Sequence, residues 1–433
     1  MKKVLLGVTV ILMCSACGAP SLRYKYKVNK LAATGKFEEA ADVVSSKKRT
    51  YGKRDQVLYN LDRASLLHDA QQPVQSDVLL AQAQQQITDS YTQSITAHAG
   101  QFLINDLTTA YNAADYETAL TFFYRAMNFL QQKDVRSAAV EARKAVFFLD
   151  HLRGSKHKGY TDDPFVQYMA SLVFESVGEL SDARIARQNA LRAYQKYGWA
   201  TPQFYVPHNA NEYGEIILFH YAGQIPLKKS QTLQLAWNDV LAFANSPAED
   251  GESVSPEVQN AVYAGLTGSA ITISYPVLEN QSYYAVSSKA RVNGQQIPLQ
   301  KMTDISALIK QDLDSKMPGI WFRLATRAVL KRVAAVQARH AVENASEDKN
   351  NSAGQFVEML VSALGAALEK ADTRQWFTLP ATIYMTRVFV VPGPQQISLL
   401  LQDENGNIIS EYTFENITVH AGERVFLHHR TAY

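Results

Sequence analysis

Cysteine is almost missing from this chain: there are two in 433 residues, Cys14 and Cys17, both close to the N-terminus. The rest of the sequence therefore has no thiol with which to form a disulfide, a Cys-ligated zinc site, an Fe–S cluster or a thiol nucleophile. A body without free thiols suits an oxidising compartment, where an unpaired Cys risks wrong bridges. A charge excess is missing too. The formal net charge is +2, so nothing global points to nucleic acid. After the N-terminus no apolar run reaches the length of a membrane span. The best candidate, residues 356–368, is interrupted by Glu358 and is too short. Catalytic signatures are absent as well: no His-Glu-x-x-His, no Gly-x-Ser-x-Gly nucleophile turn and no phosphate loop. The adjacent carboxylates Glu38-Glu39 and Asp162-Asp163 would not converge on one substrate bond from either a helix or a strand. His208, His220, His340, His420, His428 and His429 are scattered. On a strand His428 and His429 point to opposite faces, so they do not share an ion. We assign no catalytic residue, no metal and no dissociable cofactor from the sequence.

What is present begins with an address. Lys2 and Lys3 precede an apolar run over residues 4–13, followed by small residues, the form of an export signal too short to span a bilayer. The ending Ser15-Ala16-Cys17-Gly18 resembles the cleavage box of bacterial lipoproteins, although Cys14 stands where such boxes usually carry Leu. Cys17 fits the lipidated position because Ala16 before it is small. Cys14 does not fit, because bulky Met13 would sit at the cut. The resemblance implies a signal peptide over 1–16, a lipidated tether over 17–23 and a covalent palmitate-type lipid on Cys17 as the one non-protein group. Several acyl chains on one Cys, at about 0.8 kcal/mol per buried methylene, anchor durably. Gly18 is not the Asp that retains lipoproteins in the inner membrane, so the expected location is the outer membrane, facing the periplasm. An ordinary secreted protein or an uncleaved anchor is the alternative.

Residues 24–198 read as helices throughout. Gly35-Lys36-Phe37-Glu38-Glu39-Ala40 resembles the middle of a tetratricopeptide repeat, with Gly at the turn and Ala where paired helices approach. Similar stretches place Ala138 and Ala183 in the same role, and a weaker copy places Ser76 there. The intervals between these small residues are 36, 62 and 45, and only the first is near the regular period of about 34. The expectation is a tetratricopeptide-like array with insertions, the alternative an irregular bundle. Such an array leaves an extended concave face, and Tyr124, Arg125 and Asn128 on its inner helices are the candidate partner contacts.

After a break at 199–207 the chain changes character. Strands are predicted over 215–220, 270–278 and 283–292, with Asn293-Gly294 turning onto 295–300. A long helix follows Asp304, carrying a cationic stripe of Arg323, Arg327 and Lys331 with Lys310 nearby. That stripe suits phospholipid headgroups or an acidic partner, or is simply a solvated face. A polar linker at 343–354 leads to an apolar helix over 355–371. Strands over 381–391, 397–402, 408–414 and 424–429 then form a small antiparallel sheet or sandwich. The expected fold class is α+β and multidomain: a helical-repeat domain over 24–198, an α+β domain over 199–342, and an apolar helix plus β domain over 355–433. Between the last two elements, Asp372, Arg374 and Trp376 form a candidate anion or glycan segment, Arg374 offering a fork and Trp376 a stacking face. The structural alternative is that Asp372 pairs locally and Trp376 fills the core.

Together, Tyr124-Arg125-Ala126-Met127-Asn128 with residues 139–143, Gly214-Glu215-Ile216 with Pro226, the run Asp372-Thr373-Arg374-Gln375-Trp376 into Leu379-Pro380, and Gly422 with Arg430-Thr431 resemble a family of bacterial envelope lipoproteins with N-terminal tetratricopeptide-like repeats. The resemblance supplies no catalytic residues. It implies a lipid-anchored interaction scaffold, with an envelope protein or peptide as partner (another lipoprotein or a cell-wall synthase activator among them) and no nucleic acid. The competing readings are an envelope enzyme acting on cell-wall material and a lipid-binding or export component.

Overall fold

The computed structural model describes residues 21–94, 109–154, 160–235, 271–345 and 370–433. Helices come first and strands follow, as the sequence pattern requires. Among the described residues, four helix pairs build the first half: α1 (Leu22–Ala33) with α2 (Phe37–Ser46), then, past a short α3 (Lys48–Tyr51), α4 (Gln56–Asp69) with α5 (Pro73–Ser94). The other two are α6 (Asp115–Gln131) with α7 (Val135–Gly154), and α8 (Pro164–Ser176) with α9 (Leu180–Tyr197).

All four pairs turn in the same way. One left-handed residue, Gly35, Gln71, Lys133 or Gly178, follows the first helix at φ of 73°, 59°, 60° and 78°. Its N–H and that of the next residue donate back to the last turn, as Lys133 does to the Leu130 carbonyl and Asp134 to that of Phe129. Glycine adopts this conformation freely, whereas Gln71 and Lys133 pay about 1–2 kcal/mol for it. Five residues after each of these positions stands a buried small residue: Ala40, Ser76, Ala138 and Ala183. Their size lets the two helices of a pair close together.

Two sheets follow. Strand β1 (Gly214–Ala222) lies between β10 (Arg424–Thr431), to which it runs parallel, and β7 (Thr382–Val390), to which it runs antiparallel; β6 (Gln300–Asp304) completes this sheet outside β7. The second sheet has the order β5 (Gln295–Pro298), β4 (Ser287–Val292), β8 (Gly393–Gln402), β9 (Ile408–Val419), with every neighbour antiparallel. A separate ribbon pairs β2 (Leu227–Leu235) with β3 (Ile271–Glu279). The long helix α10 (Ile305–Ala345) starts where expected, Asp304 accepting from the Ala307 N–H at 2.9 Å, and carries Pro318 inside it.

Every residue of β1 is buried, because its alternating side chains enter two cores. Ile217, Phe219 and Tyr221 meet the helices, whereas Ile216 and Leu218 meet the second sheet beside Ile397, Leu399 and Leu401. The order of layers is therefore helices, mixed sheet, antiparallel sheet.

Two expectations change. The units drawn at 199–342 and 355–433 interleave: β1 and β6 from the first share a sheet with β7 and β10 from the second, and β4–β5 share one with β8–β9. The main sheet is not purely antiparallel, since β10 runs parallel to β1 in the register Phe219↔His428. Pairing strands some 200 residues apart is a tertiary event that no local pattern encodes. The linker from 346 onward and the apolar helix up to 369 lie outside the described residues.

Candidate functional site

The inner helices α4 and α6 present Asp62, Ser65 and His68, and Glu117, Tyr124 and Asn128, toward the sheet. This is the face from which a partner contact was expected, and it is covered by the chain itself. Tyr124 is fully buried, its ring 5.5 Å from that of Trp376 and 6.2 Å from that of Tyr221. Asn128 is also buried, donating to Ser76 Oγ at 3.0 Å while its Oδ1 meets His68 Nδ1 at 2.7 Å. Arg125 is held by Asp77 at 2.7 Å, Glu141 at 2.8 Å and Gln84 at 2.8 Å. These three residues fix helix to helix and helix to sheet. The 3.6-residue period marks a buried face but does not say what buries it.

Much of the cover is segment 372–379, which belongs to no helix or strand and turns at 377–379. Its main chain is received by carboxylates of the array: Trp376 N–H donates to Glu117 Oε1 at 2.8 Å and Phe377 N–H to Asp62 Oδ1 at 3.1 Å. The Trp376 indole N–H donates to Ser65 Oγ at 3.1 Å, and Lys25 Nζ donates to the Thr373 carbonyl at 2.8 Å. Burial pushes the Asp62 carboxyl well above its usual range, against the Tyr51 hydroxyl and the Lys25 charge; burial likewise lowers Lys25 to about 8, with Asp62 opposing. Trp376 is fully enclosed, so it offers no stacking face to a glycan. Arg374 is committed to Asp372 at 2.7 Å, Asp55 at 2.9 Å and the Thr109 carbonyl at 2.9 Å. Burial opposes ionisation of Asp372, but the hydrogen bond and charge of Arg374 prevail and lower its pKa.

One flank of this segment opens into a cavity of about 600 Å³, within the range of small-molecule sites. Its floor is one face of α10: Asp312, Leu313, Lys316, Ile320, Arg323, Leu324 and Arg327. Lys228 of β2, Ser274 and Pro276 of β3, Lys370 to Asp372, Arg374 and, from the 109–114 stretch, Tyr111 are among the residues of the wall. Six cationic side chains (Lys228, Lys316, Arg323, Arg327, Lys370 and Arg374) face two lining carboxylates, Asp312 and Asp372. Lys316 pairs with Asp312 at 2.8 Å, and Arg374 with Asp372 and with Asp55 outside the lining, so the cationic excess rests on Lys228, Arg323 and Lys370. The cavity thus carries a net positive charge in a partly enclosed space, where Coulombic attraction exceeds that on an open surface.

This cavity joins two features that the sequence places far apart, the Arg323–Arg327 stripe and the Asp372–Arg374 segment. Lys310 of the stripe is exposed and not part of the lining, and the Lys331 side chain lies outside those described. Lys316 was legible, being seven residues before Arg323 on the same helical face. Lys228, Lys370 and Tyr111 carry no local signal.

A second gathering is internal. His68, Asp69 and His428 place ligand-type atoms within 4.8 Å of one another, all buried. The His68 and His428 rings are stacked 4.3 Å apart at 16°, so their in-plane lone pairs run side by side and do not converge on one ion. The two ring nitrogens of His428 meet Gln131 at 2.8 Å and Gln71 at 3.1 Å, and Arg430 approaches Asp69 at 3.4 Å. Burial lowers His68 to about 4 and holds His428 well below its usual value. The two imidazoles belong to an aromatic seam between array and sheet, stacked with Tyr221. His429 faces the other way, stacked on Tyr412 at 3.8 Å.

No family model, no curated protein and no solved structure matches this chain.

Proposed function

We propose that this chain is a lipid-anchored, non-enzymatic binding protein of the bacterial cell envelope, which takes an anionic ligand in the α10 cavity. The observation that carries this reading is the excess of cations over acids in that cavity, contributed by separate segments of the chain. The four helix pairs with identical turns support a tetratricopeptide-like array. In this reading the inner face of that array is spent on holding the chain's own 372–379 segment, and the array acts as frame. The address rests on the Cys17 box, and among the described residues no helix is long and apolar enough to cross a membrane.

Titration calorimetry with pyrophosphate tests the site. Arg323→Glu together with Lys228→Glu is expected to weaken binding at least tenfold, because two attractive charges become repulsive. Unchanged affinity in the folded double variant would remove the cavity as the site. Anchoring is tested separately: Cys17→Ala is expected to move the protein from the membrane to the soluble fraction, and retention in the membrane contradicts a lipid anchor.

The scaffold reading keeps one specific support. The outer helices carry exposed apolar side chains: Val74 and Val78 on α5, Val140 and Phe147 on α7, and Leu180 and Ile185 on α9. Phe147 is 77% exposed, which suits a partner surface on the outside of the array.

A further inference from the structure

Resting on the anion-binding reading above, we infer that the ligand of the α10 cavity is an amphiphile: a phosphate or carboxylate head carried on a single apolar stem. The α10 face is built of two parallel stripes. Leu313, Ile320 and Leu324 form one, and Lys316, Arg323 and Arg327 the other. Each cation stands three residues after an apolar partner, so the spacings of seven and four repeat in both stripes. Residues three apart are neighbours on a helix surface. The apolar and cationic stripes therefore run side by side for the whole lining face. From Leu313 to Arg327 that face is about 20 Å long, at roughly 1.5 Å of rise per residue.

The opposite wall repeats the division. Lys228 and Lys370 supply charge, whereas Pro276, Ala371 and the Tyr111 ring supply apolar surface. A small polar anion would use the cations and leave half-exposed Ile320, and the edges of the largely buried Leu313 and Leu324, against water. An acidic peptide would bring main-chain amides and carbonyls to a lining rich in Leu, Ile, Pro and Ala, where they would lose hydration without replacement. A stem of methylenes beside an anionic head satisfies both stripes at once. The long aliphatic portions of Lys316 and Arg323 add to the apolar side, while the Arg323 head reaches the acid and that of Lys316 stays with Asp312.

The experiment is a chain-length series. The full chain carrying Cys17→Ala, so that its own lipid cannot compete, is titrated with inorganic phosphate, hexyl phosphate and decyl phosphate below micelle formation. It is also tested for flotation with phosphatidylglycerol vesicles. The expected result is a gain of at least about 30-fold from hexyl to decyl phosphate, from the transfer of four methylenes. Ile320→Ser, at a half-exposed position, is expected to flatten that gain. Equal affinity for phosphate and decyl phosphate would overturn the amphiphile and leave the anion site standing. No binding of any of the three phosphates would overturn both. Capture by anionic vesicles without binding of the monomeric alkyl phosphates would make the bilayer surface the source and overturn an enclosed monomer. If Ile320→Ser fails to fold by circular dichroism, the chain-length series on the parent protein decides by itself.

Discussion

Trp376→Ala is expected to destabilise the folded chain by about 3–5 kcal/mol, the range for removing a large buried aromatic. Trp376 is among the largest fully buried side chains and sits in the core shared by the helical array, the 372–379 segment and the sheet. Truncation removes the contact with Tyr124 and leaves a void beside it. It also deletes the donor to Ser65 Oγ, which keeps Thr378 Oγ1 at 2.6 Å and the Leu61 carbonyl of its own helix at 3.2 Å. Trp376→Phe should cost less, because most of the ring volume stays and chiefly the indole hydrogen bond is lost. Urea unfolding monitored by far-ultraviolet circular dichroism and by tyrosine fluorescence measures both. Since one core spans helices and sheet, the two probes should report one coincident transition in the parent protein. A loss under 1 kcal/mol, or two separated transitions, would mean that the segment does not tie the halves together.

Glu215→Ala should have an effect of similar size for a different reason. The Arg387 side chain is 2% exposed and Glu215 is 4% exposed, and the Arg387 Nε–H donates to a Glu215 carboxylate oxygen. Arg424 bridges the same carboxylate and Glu175, the latter at 2.8 Å. Burial works against the Arg387 charge, but Glu215 outweighs it and raises the pKa, so the guanidinium stays ionised. Removing Glu215 leaves that charge buried with only the more distant Glu175 carboxylate, at 3.5 Å, and the Tyr168 hydroxyl. Breaking a buried pair from one side costs about 3–5 kcal/mol. The double variant Glu215→Ala with Arg387→Met should recover much of the loss, because the uncompensated charge goes with its partner. A double variant no more stable than Glu215→Ala would show that packing, not charge, dominates at this junction.

Much of the local structure was written in local patterns. The turns at Gly35 and Gly178 follow from glycine placement, and those at Gln71 and Lys133 from the small residues that follow them. Asn293-Gly294 closes a hairpin, Asp304 starts α10, and the apolar run after Gly214 is a central strand. The candidate site was legible only in fragments. Arg323 and Arg327 were visible as a stripe, and Asp372 with Arg374 as a polar cluster beside an aromatic. Their meeting in one cavity was not visible, since it depends on β2, β3 and α10 being brought together across more than a hundred residues.

The sequence by itself determined the elements, because helix and strand periods, turn residues and caps act over a few positions. It also determined the chemistry of the body, which holds no cysteine beyond residue 17. Tertiary structure decided which faces stay free. Tyr124, Arg125 and Asn128 look like an open surface along one helix, yet Trp376 and Tyr221 cover Tyr124, His68 and Ser76 engage Asn128, and the neighbouring helices hold Arg125. An apolar face must be buried, but the periodicity is the same whether the cover is a partner or a distant part of the same chain. That choice rests on long-range pairing, here the parallel register of β10 on β1 and the capture of the Trp376 and Phe377 amides by Glu117 and Asp62.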